Sequence, residues 1–116
     1  MNKLAEALNI SDKTRPQVWA HRGASGYCPE NTLPAFLKAH ELGADGIELD
    51  VQMSSDGELV VCHDEKVDRT SSGSGWIKDM TLAELRSLDF SGGRAEFAGV
   101  TIPTMREVFE LIATTD

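Results

Sequence analysis

The chain is 116 residues long, with 41% hydrophobic and 26% charged residues and a formal net charge of −8. That balance predicts one modest core in a single soluble globular domain and excludes a largely disordered chain. The acid excess argues against nucleic acid or an anionic membrane as a partner, since both attract proteins through a cationic face, so any phosphate must be held by local groups.

The first 17 residues read as an N-terminal extension, with a short helix over residues 3–8 carrying Leu4 and Leu8 on one face. They contain no apolar run suited to a signal h-region, and nowhere are about 18 consecutive residues apolar, so no membrane span is expected. Two cysteines, Cys28 and Cys62, are too few for a disulfide framework and lack C-x-x-C spacing. A reduced, cytoplasmic setting is the expectation.

The domain proper is expected over residues 18–116. Val18-Trp19-Ala20 predicts a brief strand that runs into His21-Arg22-Gly23, where glycines permit a loop. A helix then starts at Asn31 or Thr32, with Pro34 in its first turn, an apolar stripe at Leu33, Phe36 and Leu37, and Gly43 as terminator. Residues 46–51 predict a second strand. Strand, helix, strand is the βαβ order, with parallel strands and a right-handed crossover. The next strand, 58–62, follows after a turn too short for such a crossover and must form a hairpin. Beyond it lie a Gly/Ser loop at 71–75, a candidate lid with no Walker lysine pattern, and two helix starts of capping-box form, Thr81…Glu84 and Thr104…Glu107. Met105, Val108, Phe109 and Ile112 predict a helix face packed on the sheet. Residues 52 to about 100 thus read as an insertion between a strand and its helix.

The chemistry concentrates between Ile47 and Glu65. On a strand, Glu48 and Asp50 share one face, while Ile47, Leu49 and Val51 share the packed face. Two carboxylates about 7 Å apart along a strand repel each other and suit one hard cation. Alone, the alternation reads first as a solvent-facing edge strand. A turn centred on Asp56-Gly57 shifts the balance, because it sets Asp50 opposite His63 and Glu48 opposite Glu65; a three-residue loop would spoil that register. His21, at the end of the first parallel strand, converges on the same rim with Arg22 beside it. A divalent cation on Glu48 and Asp50, the donor fork of Arg22, and two imidazoles that titrate near neutrality suit attack on a phosphodiester. His40 reads as a packing or surface residue, Cys62 as a buried thiol facing away from His63, Cys28 as an inert thiol more readily than a reactive one, and Trp19 and Trp76 as core and loop anchors.

Taken in order, HRGASGYCPENTLPAF, GADGIELDVQMSSDGELVVCHD, RTSSGSG and IPTMREVFEL resemble the glycerophosphodiester phosphodiesterase family from about Val18 to Ile112. The resemblance implies an α/β fold, the N-terminal part of a TIM-type (β/α)8 barrel with a family-specific insertion after the second strand. It implies hydrolysis of a glycerophosphodiester to glycerol 3-phosphate and an alcohol with Mg²⁺ or Ca²⁺, by way of a cyclic phosphate. His21 and His63 match the acid/base histidines, with His21 the expected base and His63 the expected acid. Glu48 and Asp50 match metal ligands, Arg22 a phosphate contact, and Glu30 and Asn31 rim or supporting residues. A closed barrel takes about 200–250 residues, and a further metal carboxylate of the family, expected in an E-x-K-like stretch, is absent from this sequence. The chain is therefore expected to be part of a longer enzyme or to assemble with itself or a missing half. The alternative is a noncatalytic truncated barrel that binds phosphate or serves assembly; a related lipase sharing the two-histidine site is a third reading.

Overall fold

The computed structural model describes residues 17–114, so the helix expected over 3–8 lies outside the described residues. Strand β1 (Trp19–His21) pairs in parallel with β2 (Gly46–Glu48), in a register that sets His21 beside Glu48. Between them runs α1 (Leu33–Glu41), the crossover that parallel neighbours require. Thr32 caps it, its hydroxyl accepting from the Ala35 amide while donating to the Pro29 carbonyl at 2.6 Å. Pro34 occupies the first turn, where its missing N–H costs nothing. Gly43, at φ +79°, ends the helix in the left-handed region.

Two close approaches lock this unit. A Cβ on Gly23 would stand 2.8 Å from both the carbonyl carbon and the Cβ of Ala35, so only glycine lets the post-β1 loop lie against α1. Gly46 likewise leaves room for the Trp19 ring, which would meet a Cβ at 2.6 Å. Trp19 is thus a half-exposed cover over a strand, and not the core anchor expected from its sequence context.

The second predicted strand breaks in two. β2 stops at Glu48, and β3 (Val51–Met53) starts a separate antiparallel hairpin with β4 (Leu59–Val61). Its register pairs Val51 with Val61, Gln52 with Val60 and Met53 with Leu59. The connection is the longer kind: Ser54 N donates to Glu58 O at 2.9 Å, enclosing Ser55, Asp56 and Gly57, and the Ser54 hydroxyl accepts from Glu58 N at 2.9 Å. This corrects the expected pairing. Cys62, whose amide donates to the Asp50 carbonyl at 2.9 Å, takes the place expected for His63. One residue of slip turns a side chain to the other face. Ile47 and Leu49 do pack inward, against Phe36, Val61 and Val108, but Val51 is exposed.

After β4 the chain leaves and returns: Val61 N donates to Pro103 O at 2.9 Å and Val60 bridges Thr104. The excursion has a core of its own, made of Cys62, Val67, Ile77, Leu85, Phe90 and Ile102 together with Val60. The Gly/Ser loop is tied at several points, with Ser72 N on Asp89 O and Gly75 N on Asp68 Oδ1, and Gly73 lies against Leu88. Trp76 stands half exposed beneath the Lys66 and Lys78 ammonium groups. Both capping boxes form, at the starts of α2 (Leu82–Arg86) and α3 (Met105–Thr114). Arg86 on α2 pairs with Glu107 on α3. Val108 is fully buried and Met105 and Ile112 pack beside it, whereas Phe109, expected on the same face, is 60% exposed. Among the described residues no helix is long and apolar enough to cross a membrane.

Candidate active site

The carboxyl ends of β1 and β2 carry the first half of the site. Register places His21 beside Glu48, and the His21 Nε2 lies 2.7 Å from Glu48 Oε2. Arg22 follows at φ +57°, a left-handed conformation that costs a non-glycine residue about 1–2 kcal/mol. Two backbone bonds hold it there: its N–H donates to Glu48 O at 2.8 Å, and its carbonyl accepts from Asn31 N at 2.8 Å. Asn31 is itself at φ +54°. Such strain persists only where surrounding bonds over-determine it, and it gathers at functional sites. Here it turns the Arg22 side chain so that Nη1 reaches Glu30 Oε2 at 3.1 Å and Nε lies 4.0 Å from Asp50 Oδ2.

The second half follows β4. His63 Nδ1 lies 2.9 Å from Asp64 Oδ1, and the Gln52 side-chain amide donates to the His63 carbonyl at 3.2 Å. Arg69 faces Asp64 with Nε at 2.9 Å from Oδ2 and Nη2 at 3.0 Å from Oδ1. On its other side it faces Glu30, with Nη1 at 2.6 Å from Oε1 and Nη2 at 3.0 Å from Oε2. The Arg69 bonds, joined by that of His63, hold the Asp64 carboxyl well below the usual range. Arg69 likewise pulls Glu30 down, against the opposing effect of burial and with help from Arg22. Arg69 in turn is driven above its ordinary value by Glu30 first and Asp64 second.

His21, Arg22, Glu48 and Asp50 therefore gather at one rim as expected, while His63 joins it through side chains and not by lying opposite Asp50. Arg69 and Asp64, in the RT and HD motifs, carry no role that the sequence alone assigns. The signal was available in an arginine and an aspartate flanking the histidine strand, but charge at exposed positions carries no pairing information. Both thiols are buried: burial pushes that of Cys62 up, and Cys28 is no exposed nucleophile, in line with the inert reading of it.

The donors fit a hard cation in part. Glu48 Oε1, Asp50 Oδ2 and both amide atoms of Asn31 are buried without a hydrogen-bond partner. Buried acceptors left unmet are costly, and three of these are the oxygen type that Mg²⁺ or Ca²⁺ prefers. Among the described residues, however, no group of three or more His, Cys, Asp or Glu side chains is placed so as to hold a metal ion.

A parallel βαβ unit with histidine, arginine and carboxylates at the carboxyl ends of its strands defines an α/β protein of the kind that binds ligands at that edge. Residues 21–116 match the Glycerophosphoryl diester phosphodiesterase family, and the chain belongs to it. It is 60% identical over 100 residues to a glycerophosphodiester phosphodiesterase of Caldanaerobacter subterraneus subsp. tengcongensis, covering 85% of this chain and 41% of that protein. A Bacillus subtilis glycerophosphodiester phosphodiesterase is 43% identical over 111 residues, covering 88% of this chain and 38% of its own length. Among solved structures, an Oleispira antarctica phosphodiesterase in complex with the product sn-glycerol-3-phosphate superposes with a TM-score of 0.81 at 45% identity, over 84% of this chain and 40% of that one. The Agrobacterium tumefaciens enzyme gives 0.79 at 41% identity, over 83% and 42%. The chain thus spans about two fifths of the relatives it matches.

Proposed function

We propose that this chain forms the N-terminal part of a TIM-type barrel enzyme that hydrolyses glycerophosphodiesters to glycerol 3-phosphate and an alcohol. Residues 18–116 would be the catalytic domain's first portion, with the excursion of about 52–100 its insertion and residues 1–17 an extension. The remaining strands would come from a continuation of the chain or a second copy. Two buried free thiols suit a reduced cytoplasm. One observation carries the reading: His21, Arg22 and Glu48 meet at the carboxyl end of a parallel strand pair, in a chain 45% identical to a phosphodiesterase with bound sn-glycerol-3-phosphate.

Glu48 and Asp50 would hold Mg²⁺ or Ca²⁺, with the Asn31 side-chain oxygen, likewise buried without a hydrogen-bond partner, as a supporting donor. A bound cation supplies charge neutralisation at the phosphate and a lower pKa for the attacking hydroxyl. Arg22, braced by Glu30, offers guanidinium N–H groups to a phosphate oxygen. His21 acts as base toward the nucleophile. His63 acts as acid in its imidazolium form: with Nδ1–H donating to Asp64, the Nε2–H is the proton left to pass to the leaving alkoxide, which leaves the neutral ring protonated at Nδ1. The roles exchange when water opens the cyclic phosphate.

Release of glycerol 3-phosphate from glycerophosphocholine tests the proposal. Turnover that disappears with chelator and in His21→Ala supports it; turnover indifferent to both overturns the site. Calorimetric binding of Mg²⁺ and glycerol 3-phosphate without turnover would instead favour the noncatalytic binding module.

A further inference from the structure

Arg69 lies at the middle of a chain of five charged or titratable groups whose ends are the two proposed phosphate and proton-transfer residues. Reading along it, Arg22 donates to Glu30, Glu30 accepts from Arg69, Arg69 donates to Asp64, and Asp64 accepts from His63. Both central contacts use two nitrogens against two oxygens, the fork geometry that lysine cannot reproduce. Glu30 belongs to the loop between β1 and α1, whereas Asp64 and Arg69 follow β4, so a residue 39 positions away closes the gap between the two halves. His63 needs such a closure. It lies beyond the end of β4, with no ladder bond of its own to fix its ring.

We infer that Arg69 is a positioning residue: it fixes Asp64, and through Asp64 it sets the tautomer and orientation of the His63 ring, while its other side fixes the Glu30 that braces Arg22. The chemistry follows from the geometry. Asp64 has only acceptors when ionised, so His63 must carry its proton on Nδ1 to bond it, which leaves Nε2 as the nitrogen facing outward. Asp64 can hold that orientation only while its own rotamer is fixed, and the two Arg69 contacts fix it. Without Arg69, the carboxylate is free to turn to water and the imidazole to sample both tautomers. A merely structural ion pair would join the two loops with no effect on which His63 nitrogen is protonated.

The inference rests on the proposed role of His63, but its test requires no turnover. The readout is the ¹⁵N and ¹H correlation pattern of the His63 ring in the intact chain at mildly alkaline pH, where imidazole is neutral. His63→Gln assigns the resonances. The wild type is expected to show one dominant tautomer protonated at Nδ1. Arg69→Ala and Asp64→Asn are expected to move His63 toward a mixture of tautomers while the His21 pattern stays put. Arg69→Lys keeps the charge without the fork, reports the same shift in smaller measure, and serves in place of Arg69→Ala if that variant does not fold. A wild-type His63 protonated mainly at Nε2, or a tautomer unchanged in both Arg69 variants, overturns the inference. Failure of the phosphodiesterase assay with the tautomer shift intact would sink the proposed function and leave the positioning role standing.

Discussion

The two histidines of the site are held by different physics. His21 ends β1, and its neighbour Glu48 ends β2, so a parallel ladder sets their spacing. His63 lies past the end of β4, and its neighbours Asp64 and Arg69 are set by ion pairs from half-exposed side chains. The rings even turn opposite nitrogens to their carboxylates, Nε2 in His21 and Nδ1 in His63. A ladder sets where a side chain leaves the main chain, by bonds that salt does not screen; a network of half-exposed charges sets its partner's position in a way open to pH and salt. The site thus joins a rigid half to an adjustable half.

The largest effect expected on that comparison is chemical. His21→Ala and His63→Ala should each lower release of glycerol 3-phosphate by about 10²–10⁴-fold, the usual worth of a positioned acid or base. A loss in only one of the two would show that one half of the site works alone.

The rigid half is best broken through the backbone. Gly23→Ala places a methyl group 2.8 Å from Ala35 at φ +79°, and overpacking with backbone strain should cost about 1–3 kcal/mol in denaturant unfolding. An unchanged midpoint would mean that α1 can move away from the loop.

The adjustable half should cost less to break. Arg69→Ala removes contacts of a half-exposed side chain, worth about 1 kcal/mol for a network, or roughly 4–8 °C in Tm. Its pH dependence has a definite sign. Asp64 and Glu30 are held below their ordinary values by Arg69, so their contribution is fully present above the unfolded-state pKa of about 4 and is lost as pH falls through the depressed folded values. Thermal melts of the wild type should therefore fall below about pH 4 more steeply than those of Arg69→Ala. Parallel acid limbs would remove these two carboxylates from the account.

The smallest effect belongs to the helix starts. Thr81→Ala deletes an exposed capping box and should cost about 0.5 kcal/mol, the low end for such caps, in chemical denaturation. Thr104→Ala should exceed it, because its box is partly buried and its Glu107 partner binds Arg86.

The legibility of the molecule follows the same division. Thr32, Pro34 and Gly43 announce α1, and Thr81…Glu84 and Thr104…Glu107 announce α2 and α3, because caps are contacts between near neighbours that any local folding must satisfy. Glu48 and Asp50 stood out as carboxylates alternating with aliphatic residues. The hairpin register did not, since Asp-Gly fits both a two-residue turn and the longer Ser55-Asp56-Gly57 loop, and the bonds between Ser54 and Glu58, main-chain and hydroxyl, decide between them. Phe109 and Val51 looked like core because periodicity reports which face a residue shares, not how far the packing extends.

What the amino-acid order determined by itself is what short range can determine: the helix caps, the βαβ order, the family motifs, and the identity of the groups at the carboxyl edge of the strands. What only the tertiary structure decided is which charges meet. Arg69 reaches Glu30 across 39 residues because two loops from different elements are folded side by side. A guanidinium attracts any carboxylate within reach, so its choice of partner depends on distances that exist only once both hydrophobic clusters have formed.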